Sequence, residues 1–544
     1  MRYILHILLI FLFSKLSYSQ NAEYTPLNSN DVKSLPYRTF SQKSIKNYVI
    51  VPPILNKEGK TIFVSVPSSK SSLPFSIDGF SESEAIIAIK QININLIDEE
   101  FSTINVNKID FKKQFNSKGF YYLTYYKNED EIILFFVKDN NFVSFSIDLS
   151  TGKLSSPKII KEKVNYTSKI LFSPDSSLFS LCYLSHKRSK LNFVVYSINN
   201  SNIEEEDAFE NINIAGNFSN QFQRNILIKN VFPKNSFELT PNGEIFKVTA
   251  FSGYDEENDN PDYLEIKKID HNGIVKKVYP IENNKHIYRY IVTTDYNNVY
   301  IISLTADLNQ ILKTQDHHIY INDFLNNDIY RYLDVYVNEI NIKKIRVSDL
   351  EEVSDKYINF DKEFVKAAWS NKIEKFFDRR VAYASRKGKN LKYGIKNLSP
   401  YFLRWSPADS SLNLVCHSFY NISKKVGPST LSEGFAIFNI DPKSTNLNWK
   451  ARISTVGMEK PGFNYFLKPN GEQYFIYRAK PENLKLDDYL TVLNKEGEMK
   501  NYQFGKQNLT RNIFYPFSSL SGNYFIYFYK ESISQKIEKI KLFE

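Results

Sequence analysis

Two stretches of the chain repeat one small phrase. "LFSPDSSLFSLCYLS" begins at Leu171 and "LRWSPADSSLNLVCHS" at Leu403. Looser copies follow: "ELTPNGEIFKVTAFS" from Glu238 and "FLKPNGEQYFIYRA" from Phe466. Pro-free relatives are "FNSKGFYYLTYY" from Phe115, "VTTDYNNVYIISL" from Val292 and "FSSLSGNYFIYFY" from Phe517. Each joins a polar turn to a run of β-branched and aromatic residues. Pro presets φ at the second turn position, Asp or Asn bonds its own backbone, and Gly or Ser lets the chain reverse. In the run that follows, Leu178, Ser180, Cys182 and Leu184 alternate with Phe179, Leu181 and Tyr183. Both sets are largely apolar, which predicts a strand buried on both faces.

A second hairpin type is interleaved with the first. "IDLSTGKLSSP" from Ile147, "IDHNGIVKKVYPI" from Ile269 and "VLNKEGEMKNYQF" from Val492 place a Gly turn between more polar strands. Together the two types describe a four-stranded unit. With Lys118, Asp175, Asn242, Asp295, Asp409, Asn470 and Ser521 as turn markers, the gaps are 57, 67, 53, 114, 61 and 51 residues. A four-stranded unit recurring at this period is the pattern of a β-propeller, where ring closure gives each blade two neighbours. The fold class expected is therefore all-β: a single propeller of four-stranded blades, with one helical insertion. Eight blades are favoured and seven is the close alternative. Ser76 to Ile109 reads as further strands that make an eighth. In the other arrangement the hairpin "ILNKEGKTIFVSV" at Ile54 supplies outer strands to the last blade and closes the ring.

The phrases "FSPDSSLFSLCYLS", "WSPADSSLNLVCHS", "TPNGEIFKVTAFS" and "KPNGEQYFIYRA" resemble the Ser-Pro-Asp-Gly repeat of TolB-type, WD-like bacterial propellers. The resemblance runs over most of Phe115 to Tyr529 as a degenerate motif. It implies a fold and a tendency toward protein binding, and it carries no catalytic residue.

The long gap after Asp295 holds the insertion. Arg346 to about Ala384 reads as helix, because Leu350, Val353, Tyr357, Phe360, Phe364 and Phe377 fall at intervals that fit a helical face. Ser348 is the candidate N-cap, with Glu351 three residues on. The segment 346–396 thus divides the propeller into 48–345 and 397–544. From Asp361 to Lys396 eleven basic residues stand against four acidic ones, a net of +7. Arg379, Arg380, Arg386, Lys387, Lys389 and Lys392 are the candidate binding residues. They suit an anionic surface, an acidic protein or an anionic polysaccharide. The competing reading is a solvated helical face packed on the ring, against the acidic segment Glu204 to Glu265. That segment has thirteen acidic and four basic residues, a net of −9.

Residues 1–19 read as a leader: Arg2 starts it, Ile4 to Phe13 is apolar, and Ser17 and Ser19 precede the cleavage point. Residues 20–47 form an N-terminal extension. The expected localisation is periplasmic or extracellular. The chain is not read as a lipoprotein, since no Cys follows the cleavage point, and no later apolar run is long enough for a transmembrane helix. Removing Arg2 and Lys15 takes the formal charge from +10 to +8. No nucleic-acid partner is expected from a charge so divided between acidic and basic segments.

Cys182 and Cys416 each stand seven residues after the turn Asp of their phrase, in different blades. They are expected to be free buried thiols, because a disulfide needs Cα atoms within about 7 Å. No cofactor is expected. Asp255, Glu257 and Asp259 alternate as calcium ligands do, but Asn260 stands where an EF-hand loop has Gly. His317 and His318 are adjacent, so in a strand they point to opposite faces. There is no G-x-S-x-G, Walker loop or H-E-x-x-H. Two functions fit. One is an exported, non-catalytic propeller that binds or scaffolds proteins at the bacterial envelope. The other is a carbohydrate-active enzyme, a glycan hydrolase or lyase, with its site at the channel mouth.

Overall fold

The computed structural model describes residues 32–34, 39–45, 47–67, 88–100, 104–116, 120–164, 168–184, 191–199, 202–212, 237–251, 262–282, 284–313, 333–424, 427–455, 463–479, 487–504, 511–521, 524–531 and 534–542. The expected leader, Lys118, the carboxylates Asp255, Glu257 and Asp259, and the pair His317 and His318 lie outside these residues.

The chain is a β-propeller. Eight antiparallel sheets follow one another along the sequence, each with four strands in meander order. Sheet 1 is built from Asn47–Leu55, Thr61–Pro67, Gln91–Ile97 and Ile104–Asp110. Sheet 2 holds Phe120–Lys127, Glu131–Lys138, Asn141–Asp148 and Lys158–Lys161, with Ala88–Ile89 added at its inner edge. Sheet 3 runs through Ser168–Phe172, Leu178–Leu184, Leu191–Asn199 and Asn202–Ile212. Sheet 4 contains Phe237–Leu239, Ile245–Phe251, Tyr263–Asp270 and Gly273–Pro280. Sheet 5 contains Lys285–Thr294, Asn298–Asp307, Glu339–Arg346 and Glu352–Asn359. Sheet 6 is Ser399–Trp405, Leu412–Lys424, Gly427–Ile440 and Leu447–Ser454. Sheet 7 is Phe463–Leu467, Gln473–Ala479, Asp487–Leu493 and Met499–Phe504, with Val32–Ser34 parallel on its outer edge. Sheet 8 takes three strands from the C-terminal end, Arg511–Ser521, Tyr524–Glu531 and Ser534–Lys541, and its fourth from Thr39–Ile45.

The first strands of these sheets touch in a closed cycle. Direct contacts link sheets 2 to 3, 3 to 4, 4 to 5, 5 to 6, 7 to 8 and 8 to 1. Tyr122 Oη donates to the Ile50 carbonyl at 3.1 Å between sheets 1 and 2. The Phe402 and Phe463 rings lie 6.0 Å apart between sheets 6 and 7. Every neighbouring pair also shares a buried apolar cluster, so eight clusters separate eight sheets. This accounts for strands that are apolar on both faces. A propeller sheet has a neighbour on each side, and each fully buried Phe, Leu or Ile contributes about 1.5–3 kcal/mol.

The repeated phrase is the turn from first to second strand. Ser173 Oγ accepts the Leu178 N–H at 3.0 Å and donates to Asp175 at 2.6 Å. Asp175 in turn accepts the Ser177 N–H at 3.2 Å. Ser176, at φ 59°, and Ser410, at φ 57°, take the left-handed conformation of the reversal. Asn242, Asp295 and Asn470 mark the same turn in sheets 4, 5 and 7. The Gly hairpins join third to fourth strands, as at Gly152, Gly273 and Gly497. Cys182 and Cys416 are both free and buried, in the second strands of sheets 3 and 6.

The structure differs from the sequence expectation at three places. "FYYLTYYK" is the first strand of sheet 2, and the turn that follows it is Asn128 to Asp130. The hairpin near Ile54 belongs to sheet 1 and does not close the ring; Thr39–Ile45 joins sheet 8. The helix expected from Arg346 is a hairpin. Asp349 accepts the Glu351 N–H at 2.9 Å and pairs with Arg346 at 2.7 Å, and Glu352–Asn359 is the outer strand of sheet 5.

Helix does follow. After α1, Phe111–Phe115, come α2, Lys362–Lys366, and α3, Asn371–Arg386. Asp361 caps α2 by accepting the Phe364 N–H at 2.7 Å, and Ser370 caps α3 by accepting the Ile373 N–H at 3.3 Å. A three-stranded sheet of Ile311–Lys313, Leu333–Val337 and Ile395–Lys396 completes a cap beside sheets 5 and 6. It packs Leu312, Tyr336 and Leu391 on Phe377 and Ala384 of α3.

Candidate functional site

The ends of five first strands, where the chain turns toward the second strands, line an open cavity of ≈ 590 Å³. Sheet 2 contributes Tyr125, Tyr126 and Lys127, and sheet 3 contributes Phe172 and the Ser173–Pro174 turn. Sheet 4 contributes Glu238, sheet 5 Val292 and Thr293, and sheet 6 Phe402, Arg404 and Trp405. Three of these strands carry a bulge, between Tyr122 and Thr124, Ile287 and Arg289, and Pro400 and Phe402. A bulge breaks the strict alternation of a strand and re-aims the side chains beyond it.

The lining mixes aromatic rings with charged and hydroxyl groups. Tyr126 stacks on Phe172 with ring centroids 6.0 Å apart and planes at 23°. Trp405 Nε1 donates to Thr293 Oγ1 at 3.3 Å, and its ring meets Tyr300 edge-on. Burial pushes the Glu238 carboxyl up to about 8, with Lys169 opposing the shift. It is the single carboxylate among the described lining residues. Burial also raises the Tyr125 hydroxyl, against the nearby Arg404 charge, and desolvation lowers Lys127.

The basic residues of the insertion are not a free arm. Arg380 pairs with Asp334 of the cap sheet, and Lys396 meets the same carboxylate at 2.7 Å. Lys389 Nζ donates to the Ile311 carbonyl at 3.1 Å, and Lys392 pairs with Asp307 at 3.1 Å. Arg386 Nε reaches the Ala382 carbonyl at 3.4 Å within its own helix. Arg379 and Lys387 are exposed. Where the described residues show it, the acidic segment pairs elsewhere: Glu205 with Lys161, and Glu265 with Lys267 and Lys276.

Sequence reasoning missed a buried polar cluster where the cap meets sheet 6. Glu433 and Arg452 pair at 2.7 Å with both side chains 0% exposed. Trp369 Nε1, between α2 and α3, donates to Glu433 at 2.8 Å, and Ser418 Oγ donates at 3.1 Å. Beside them His417 Nε2 and Ser432 Oγ are 2.7 Å apart. Burial and the Arg452 charge hold His417 down to about 3. Both residues are buried, so the pair packs as core. Nothing in the strings "LVCHS" and "LSEGF" signals it, since its members come from four segments. Among the described residues no group of three His, Cys, Asp or Glu side chains is placed to hold a metal. No helix among them is long and apolar enough to cross a membrane.

No protein-family model matches the chain, and no curated protein matches it. Among solved structures it is similar to the Dos1 propeller, at 8% identity and TM-score 0.38, over 92% of this chain and 95% of that one. It is similar to the WD40 domain of SCAP from fission yeast, at 8% identity and TM-score 0.36, over 92% and 98%. It is also similar to an oligogalacturonate lyase in complex with manganese, at 10% identity and TM-score 0.32, over 93% and 98%.

Proposed function

We propose that the protein is an exported, non-catalytic propeller of the TolB type that binds a protein partner at the bacterial envelope through its cap. Each of the eight sheets is read as one blade, and the cap on the fifth and sixth is the element that departs from the repeat. The observation that carries the reading is the outer surface of α3 and its flank. Arg379, Arg386 and Lys387 are exposed there, and the same cap also exposes the apolar side chains of Val381 and Tyr393, each 36% exposed. Arg and Tyr are enriched at protein interfaces, and the charge selects an acidic partner. The test is capture from envelope extract with the wild type and with the triple variant Arg379→Glu, Arg386→Glu, Lys387→Glu. Loss of a specific partner in the variant is expected. Identical partner sets would remove the cap from the reading, and recovery of anionic lipid or polysaccharide alone would replace the protein partner.

A second reading, a carbohydrate-active enzyme, draws support from the meeting of Tyr125, Glu238 and Arg404 on one cavity. Hydrolysis by a carboxylate pair needs a second acid, and the described lining residues offer Glu238 alone. A lyase with a tyrosine base is the form that fits. It predicts unsaturated sugar ends when an acidic polysaccharide is incubated with the protein, and their loss in Tyr125→Phe.

A further inference from the structure

The cavity at the ends of the first strands collects groups that the fold itself does not use. Arg404 and Lys127 line it, and neither has a carboxylate partner among the described residues. The Tyr125 and Tyr126 hydroxyls likewise have no hydrogen-bond partner among them. Comparable groups elsewhere on the first strands are paired: Lys285 holds Asp307 and Glu339, and Tyr290 Oη donates to the Val248 carbonyl. Cations and hydroxyls gathered beside aromatic rings on one cavity are the groups that orient a small polar ligand. Glu238 does not cancel the cations at neutral pH, since burial keeps its carboxyl protonated. The described lining is therefore net positive, with Lys127 and Arg404 against Glu238.

The walls narrow the chemistry. A bare inorganic anion would use the cations and leave the rings of Tyr126, Phe172 and Trp405 idle. A wholly aromatic acid would leave the tyrosine hydroxyls and the protonated Glu238 idle. A sugar ring has an apolar C–H face for the aromatic wall and hydroxyls for the polar groups, and a uronate adds the carboxylate. The volume of ≈ 590 Å³ lies within the usual range of about 300–1,000 Å³ for small-molecule sites.

We propose that this cavity binds a carboxylate-bearing saccharide of one or two units, the carboxylate taken by Arg404 and Lys127 and the sugar ring set against the aromatic wall. The site is separate from the cap surface, so either can fail without the other. It also does not require turnover, since the groups named bind and orient.

Calorimetric titration of the purified chain with a glucuronate-containing disaccharide tests it, with a glucose disaccharide and inorganic phosphate as the other arms. The uronate is expected to bind at least about tenfold more tightly than either, as a charge-assisted hydrogen bond allows. Arg404→Gln and Lys127→Gln are each expected to weaken the uronate about fivefold or more and to leave the glucose disaccharide unchanged. Both side chains are exposed at the cavity, so the variants should keep the wild-type melting temperature, which is measured alongside. Equal affinity for charged and neutral sugars, equal affinity for phosphate, no binding of any probe, or uronate binding that ignores both substitutions would each overturn the proposal.

Discussion

At Glu433 and Arg452 the fold depends on a charge pair buried in the core. Both side chains are wholly buried, and Trp369 ties the pair to the cap. Removing one partner strands the other charge in the core, which costs about 3–5 kcal/mol. Arg452→Met is thus expected to lower the denaturation midpoint sharply. The double change Glu433→Gln with Arg452→Met should recover much of the loss, and a double variant no better than the single would refute the pairing. Glu238 makes a prediction of opposite sign to the usual carboxylate. Its folded pKa of about 8 lies above the ordinary value of 4.5. Between those limits the native state holds a proton that the unfolded chain releases, so this group's contribution is full below about pH 4.5 and declines as pH climbs toward 8. Glu238→Gln should match the wild type near pH 4 and exceed it by about 1–3 kcal/mol near pH 8, given about 1.4 kcal/mol per unit discounted for partial exposure. Chemical denaturation at the two pH values reads it, and a gap that does not grow with pH counts against a protonated Glu238. The cysteines were legible from their place in the repeated phrase, because a strand apolar on both faces leaves a thiol no route to solvent. Burial pushes Cys182 up to about 12 and raises Cys416 well above its ordinary range. A thiol reagent at pH 8 should find none in the native protein and both after unfolding. Rapid native labelling of either would contradict the buried placement.

At the scale of the element, the turns explain what could be read in advance and what could not. Asp175, Asn242, Asp409 and Asn470 announce themselves because Pro or Gly stands close by and sets the backbone. The turn at Asn128 to Asp130 has neither. There the Asn128 side chain does the same work by accepting the N–H groups of Asp130 and Glu131 at 3.0 and 2.8 Å. The hairpin at Arg346 to Asn359 misleads for a similar reason. Ser348 and Glu351 have the spacing of a helix cap, while Asp349 closes a tight turn and Leu350 sits at φ 58°. The apolar residues at Val353 and Tyr357 lie on an edge strand, where four-residue spacing and alternation coincide. The cap sheet was illegible because its three strands have two to five residues each and come from segments far apart in sequence. Gly434 is the point where the long hairpin of sheet 6 leaves the blade, next to the register shift at Ser418 and Phe419. Its φ is 147°, and an added Cβ would lie 2.0 Å from the Ile453 carbonyl oxygen. That neighbour is backbone and cannot swing aside. Gly434→Ala should therefore cost about 2 kcal/mol or more and raise hydrogen exchange in Leu447–Ser454. Wild-type exchange there would show that the strand can shift freely.

For the whole molecule, the decisive element is the one that closes the ring. Sheet 8 takes its outer strand, Thr39–Ile45, from the far end of the chain, in antiparallel register with Ser534–Lys541. Sheets 8 and 1 then share the cluster of Val49, Phe63, Ile97, Ile526 and Ile537. A ring differs from an open array in that losing one seam exposes two faces and leaves an unpaired strand edge. Deleting residues 1–46 removes the closing strand while sparing every strand of sheets 1 to 6. If the seam is held mainly by Thr39–Ile45, hydrogen exchange should rise first in the strands of sheet 8 that remain, Arg511–Ser521, Tyr524–Glu531 and Ser534–Lys541. It should change least in sheets 3 to 5, on the opposite side of the cycle. The melting temperature should fall and the free edge of Ser534–Lys541 should promote aggregation. Were the hairpin at Ile54 the closing device instead, the same deletion would leave sheet 8 protected. Uniform loss of protection around the ring would mean that the eight interfaces unfold as one unit, with closure stabilising all of them at once. Protection lost in sheet 8 alone would mean that each interface stands on its two sheets, as nearest-neighbour stacking of repeats implies.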